Sequence, residues 1–101
     1  MKNSILVIMT TAEAKAEKEK SIQQALCDVT KAARARPGCI EYRVFRSAEN
    51  PAVTVNFERW TSKEERDKFL ADEDVKKFAS AVSGAFVKSP EPVWYEVLAD
   101  G

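Results

Sequence analysis

The chain has 101 residues, 45% hydrophobic and 32% charged, and its 16 basic and 16 acidic side chains cancel. A neutral chain offers no electrostatic case for nucleic acid or an anionic membrane surface. There is no histidine, which excludes His-dependent triads, His-ligated metal and a His general base. The three scattered glycines form no P-loop, GxGxxG or EF-hand pattern, so no metal and no cofactor are expected.

SILVIMT, Ser4 to Thr10, is a continuous β-prone run, the pattern of a strand covered on both faces. Lys2 is the one charged residue before it, and no apolar run approaches the length of a membrane span. No signal peptide, lipid anchor or membrane association is therefore expected, and the expected compartment is the cytoplasm. Thr10 and Glu13 have the spacing of a capping box and predict a helix starting there. Its buried face is expected at Ile22, Ala25, Leu26, Val29 and Ala33, with Glu13 to Lys20 solvated and lightly packed. Pro37-Gly38 ends it. Cys27 and Cys39 form no CxxC and are expected to be unreactive free thiols.

CIEYRVFRS then alternates, with Ile40, Tyr42 and Val44 on one side and Glu41, Arg43 and Phe45 on the other. AENPA is a turn, and VTVNFERW returns beside the first segment as an antiparallel hairpin. Thr61-x-x-Glu64 and Ser62-x-x-Glu65 both fit capping boxes, so a helix is expected directly after Trp60. It carries Phe69 and Leu70, breaks near Asp72, and resumes with Val75, Phe78, Ala79 and Val82 on one face before Gly84. SPEP is read as a connector and Val93 to Leu98 as the last strand.

The order β-α-β-β-α-β predicts an α+β, ferredoxin-like domain spanning residues 1–101, with its helices on one face of a four-stranded antiparallel sheet. Strands one and four are apolar on both sides. At ~25 cal/mol per Å², leaving their outer side chains in water forfeits a few kcal/mol of a small stability margin. A homodimer with its two sheets paired face to face, a dimeric α/β barrel, is therefore expected.

VTVNFERW raises the functional question. Val53, Val55 and Phe57 alternate as a buried face should, while the other face carries Thr54, Asn56, Glu58 and Trp60. One reading makes that row the floor of a pocket, with Trp60 a stacking plane and Asn56 both donor and acceptor. The other puts Trp60 in the core end of the hairpin and Asn56 on a neighbouring backbone group. Glu41, Arg43 and Arg46 are expected to pair with Glu58 and Arg59 across the strands. Tyr42 and Tyr95, the only phenols, either line a cavity or pack.

The segments RPGCIEYRVFRS, AENPA and VTVNFERWTSKEERDKFL, followed by VKKF, resemble the antibiotic biosynthesis monooxygenase family. That family's pattern is a PGC/F-x-x-Y-x-x-x-x-S hairpin, an acidic-x-Trp-x-Ser entry to the second helix, and a Phe-Leu helix. The resemblance runs from about Ile5 to Leu98 and implies a ferredoxin-like fold that dimerises through its sheets. Members include cofactor-independent oxygenases of aromatic polyketides, quinol oxygenases and haem-degrading enzymes. The anthrone oxygenases carry Asn-x-x-x-Trp in the third strand, matched here by Asn56 and Trp60. Arg66 falls where their helical Tyr is expected and Ser80 near their later Arg. Haem degraders need a His, so without one haem degradation is not expected, and the quinol-type members commonly carry one at about Asp74, so the match to them is partial.

The resemblance implies a cofactor-independent monooxygenase that oxidises a quinol- or anthrone-like aromatic with molecular oxygen. Trp60 and Asn56 would then contact the ring and its oxygen, with Glu58 or Tyr42 moving a proton. Tyr42, Arg66, Phe69 and Phe78 would bind the substrate. The alternative is a non-catalytic dimeric module that binds a small hydrophobic ligand.

Overall fold

A computed structural model describes residues 5–100, so Lys2 and Ser4 lie outside the described residues. Strand β1 (Leu6–Glu13) is followed by helix α1 (Glu19–Arg34), strands β2 (Cys39–Arg46) and β3 (Val53–Trp60), helices α2 (Lys63–Leu70) and α3 (Glu73–Ala81), and strand β4 (Glu91–Tyr95). The four strands form one antiparallel sheet in the order β2-β3-β1-β4. The helices pack on one face of it, giving the expected α+β ferredoxin-like arrangement. No helix among the described residues is long and apolar enough to cross a membrane.

The register shows which side chains share a face. Ile8 pairs with Glu58 and Trp94, and Tyr42 with Glu58, so Trp94, Ile8, Glu58 and Tyr42 form one row across the sheet. The next row is Pro92, Thr10, Asn56 and Val44. Both rows face the helices, because Ile8, Tyr42 and Trp60 join Ala33, Phe69 and Val75 in the main core cluster. The other face carries Met9 between Phe57 and Val93, with Phe45 and Tyr95 nearby, and the helices leave it uncovered. The more deeply buried face of β3 is thus Thr54, Glu58 and Trp60, not Val53, Val55 and Phe57, which are half-buried.

Several boundaries depart from the sequence reading. The Thr10–Glu13 capping box does not form: both residues belong to β1, where Thr10 pairs with Asn56 and Glu13 with Val53. Eight residues paired along β3 outweigh a local cap worth about 1 kcal/mol. The chain turns instead at Glu17, at φ 71°, and α1 starts at Glu19 without a side-chain cap. Ala14, expected in a solvated stretch, is buried with Ile22 and Ala85. A register shift between Cys39 and Glu41 makes Ile40 the extra residue of a bulge. Ile40 is therefore exposed, and Cys39 packs on the core in its place. β4 begins at Glu91 and ends at Tyr95, two residues earlier than expected at its start. Pro92 is tolerated there because β4 is a sheet edge.

Other local features form as the sequence predicts. Ser62 Oγ accepts from the Glu65 amide at 3.2 Å, capping α2. Asp72 breaks the two helices by capping α3, accepting from the Asp74 and Val75 amides. Ser47 Oγ and Asn50 Oδ1 accept backbone amides within the hairpin turn. Both cysteines are free, and burial pushes the Cys39 thiol pKa up.

Candidate functional site

A cavity of about 350 Å³ lies between the helices and the central strands. Its floor is Thr10, Tyr42, Asn56 and Glu58, and its walls come from α1, α2 and α3. Leu26 and Val29 on α1, Phe78 on α3 and Val82 at the C-cap of α3 line it, so most of the lining is apolar. The helical periodicity that builds these faces is the one visible in the sequence.

Two polar groups meet on the floor. Asn56 Nδ2 donates to the Tyr42 hydroxyl at 3.3 Å, a diagonal contact between neighbouring strands. The phenol oxygen is thereby used as an acceptor, which leaves its proton to donate. Burial, and then the nearby Glu58 carboxylate, push the Tyr42 pKa well above its usual value. The phenol therefore stays protonated at neutral pH and acts as a donor.

Beside this pair lies a buried ionic cluster. Glu58 is 2% exposed and Arg66 8%. Arg66 Nε donates to Glu58 Oε1 at 3.0 Å and Nη2 to Oε2 at 3.4 Å. The Trp60 indole Nε1 donates to the same Oε1 at 2.8 Å. The Arg66 guanidinium also lies 5.4 Å from the centroid of the Trp94 ring, a cation–π distance.

The sequence-predicted site therefore divides. Asn56, Glu58, Tyr42, Arg66, Phe69 and Phe78 all line the cavity. Trp60 does not: it is 0% exposed and packs on Phe69, ring centroids 5.1 Å apart. As a stacking plane for a ligand Trp60 is corrected, because its faces are already covered by the core. Asn56 bonds a phenol rather than a backbone group. Glu58 pairs with Arg66 and not with a charge of β2; the expected cross-strand contact between Glu41 and Arg59 of β3 forms at 3.7 Å, and Arg43 lies 3.1 Å from Glu41 on its own strand. As a proton-transfer group Glu58 is disfavoured, since both oxygens are already engaged. Tyr95 faces away from the helices.

The Glu58–Arg66 pair escaped the sequence reading although both residues were singled out. Its signal was slight: one carboxylate on an inward strand position and one arginine on the inward face of the next helix. Among the described residues no group of three or more His, Cys, Asp or Glu side chains could hold a metal ion.

The chain's relatives agree with this architecture. No curated protein sequence matches it significantly. Among solved structures, a candidate antibiotic biosynthesis monooxygenase from Nitrosomonas europaea superposes with a TM-score of 0.89 at 16% identity, covering 97% of this chain and 94% of that one. Rv0793 from Mycobacterium tuberculosis gives 0.87 at 18% identity, with 96% and 98% covered. A conserved protein from Methanosarcina mazei Go1 gives 0.84 at 21%, with 91% of each chain covered. At these identities the likeness establishes the fold. The sequence profile described as antibiotic biosynthesis monooxygenase matches residues 5–81. The chain belongs to the antibiotic biosynthesis monooxygenase family.

Proposed function

We propose that the chain is a cofactor-independent monooxygenase acting in the cytoplasm as a homodimer on an anthrone- or quinol-like aromatic. The observation that carries this reading is the Asn56–Tyr42 pair on the floor of a cavity whose lining is mostly apolar. A flat ring system fits between the α1 and α3 faces, where Leu26, Val29, Phe78 and Val82 exclude water. Tyr42 donates to the substrate oxygen, and Asn56 holds the phenol in place. That hydrogen bond strengthens as the oxygen gains negative charge, which favours loss of a proton from the activated ring carbon.

The resulting electron-rich carbanion passes one electron to oxygen, and the radical pair combines to form a carbon–oxygen bond. For an anthrone methylene, the hydroperoxide then loses water across its O–O bond and remaining C–H bond, leaving a ketone. One oxygen atom enters the product and the other leaves as water. The ring carbon's proton passes to solvent and one proton returns from solvent to the peroxide, because Glu58 is committed to Arg66 and Trp60. The protein supplies binding, orientation and a hydrogen bond at the developing charge.

The test is oxygen uptake by purified protein with a panel of dithranol-like anthrones and quinols. A rate above buffer that falls at least about tenfold in Tyr42→Phe supports the reading, since one oxyanion donor is worth roughly 10²–10³ at most. A second reading, a non-catalytic ligand-binding module, is favoured by one observation: Glu58, the one carboxylate among the described residues lining the cavity, is already paired. Saturable binding of the same aromatics with no oxygen uptake selects it.

A further inference from the structure

Arg66 is the one cation among the described residues lining the cavity, and its guanidinium is only partly used. Of its five N–H groups, one on Nε and one on Nη2 go to Glu58. The remaining N–H groups, on Nη1 and Nη2, have no hydrogen-bond partner among the described residues. One face of the group is covered by Trp94. Its position is over-determined from below: Glu58 is held by β3 and by the indole of Trp60, which itself is locked against Phe69.

We propose that the unengaged edge of Arg66 anchors an uncharged aromatic ketone, donating to its carbonyl oxygen, with Glu58 the residue that positions the guanidinium. This rests on the cavity being the ligand site, as in the oxygenase reading above, and it specifies the ligand class that the site selects.

Two arguments set the class. The first is charge. Glu58 cancels Arg66, and the other lining side chains are neutral. A carboxylate ligand would bring a second anion beside Glu58 with one cation to share, in a site of low dielectric. The ligand is therefore neutral when it binds, and any negative charge develops only later, next to a fixed guanidinium. The second is hydrogen-bond type. The Arg66 edge and the Tyr42 hydroxyl are both donors, so the ligand must supply acceptors. A plain hydrocarbon of the same shape would strip water from the guanidinium and give nothing back, a loss that sites built for a polar group impose steeply.

The experiment is equilibrium binding by calorimetry, using three unreactive probes of one shape: 9-fluorenone, fluorene and fluorene-9-carboxylate. The wild-type protein is expected to bind fluorenone at least about tenfold more tightly than fluorene, from one charge-assisted hydrogen bond. The carboxylate should bind more weakly than the ketone. In Arg66→Met/Glu58→Gln, which removes the pair without leaving either charge buried alone, the preference for fluorenone should shrink, through weaker fluorenone and tighter fluorene binding, to the share that the Tyr42 hydroxyl supplies. Equal affinity for fluorenone and fluorene in the wild type overturns the proposal, and so does a preference for the carboxylate. A fluorenone preference undiminished in a folded double variant overturns it as well. Should that variant not fold, Tyr42→Phe takes its place: a fluorenone preference lost in Tyr42→Phe assigns the carbonyl to the phenol and overturns the proposal, and one retained supports Arg66. Oxygen uptake is measured in parallel, so the two readings fail separately. Fluorenone preference without turnover retains the anchor and removes the oxygenase, and turnover without the preference does the reverse.

Discussion

The phenol of Tyr42 has its oxygen bonded to Asn56 and its ring edge-on to Phe69, 5.8 Å between centroids. Its raised pKa, caused first by burial and then by Glu58, links folding to pH. In the unfolded chain the phenol loses its proton near 10.0, whereas the folded protein keeps it to higher pH. The associated stability is fully present below that unfolded value and is lost as pH rises toward the folded pKa. Denaturation midpoints should therefore fall as pH is raised above about 10, and Tyr42→Phe should flatten that decline. The Glu58–Arg66 pair predicts an asymmetry of a different kind. Arg66→Met alone leaves a buried carboxylate unpaired and should cost about 3–5 kcal/mol, while adding Glu58→Gln should recover part of the loss. Urea titration of the two variants measures both. Trp60→Phe should destabilise by roughly 1–3 kcal/mol, through the lost indole bond to Glu58. Near-unchanged stability in Trp60→Phe would contradict the place assigned to that side chain.

At the scale of elements, the helices and strands that were legible are those whose periodicity agrees with their local signals. α2 starts at Ser62 and α3 at Asp72 because each has a cap that the sequence displays and the backbone uses. The first helix was misplaced because AEAKAEKEK has helical composition, yet its leading residues are recruited by β3. Pairing with a distant strand is invisible to a local reading. The site was half legible for the same reason. A period of two correctly put Asn56, Glu58 and Trp60 on one face. Which end of that face stays open depends on Phe69 covering Trp60, a tertiary contact. The β2–α2 junction offers a check of the packing. Gly38 is buried, its carbonyl accepts from the Thr61 amide at 2.9 Å, and an added Cβ would come within 2.4 Å of the Glu65 side chain. Gly38→Ala should therefore destabilise by about 1–3 kcal/mol through overpacking. A melting temperature equal to that of the wild type would show that Glu65 gives way freely.

For the whole molecule, the outer sheet face is the part that the helices leave uncovered. Phe45, Val93 and Tyr95 are each about half exposed there, around half-buried Met9 and Phe57. Charged groups collect toward the β2 edge, where Arg59 also holds the tail through Asp100, at 3.0 Å. An apolar centre with a charged margin suits a second copy of the same face, as in the proposed homodimer. Phe45→Glu/Val93→Glu should convert a dimer of 11.3 kDa subunits into monomers of unchanged helix content, as read by light scattering and circular dichroism. A wild-type monomer at micromolar concentration would contradict the paired-sheet arrangement. The central claim, that this cavity oxygenates a ring with molecular oxygen and no cofactor, is tested most directly by isotope labelling. Wild-type protein is given dithranol under oxygen-18 gas, and the early product is analysed by mass spectrometry against a buffer control. One labelled atom per product molecule is expected, formed faster than in buffer and at least about tenfold more slowly by Tyr42→Phe. Labelled product appearing no faster than in buffer would contradict it.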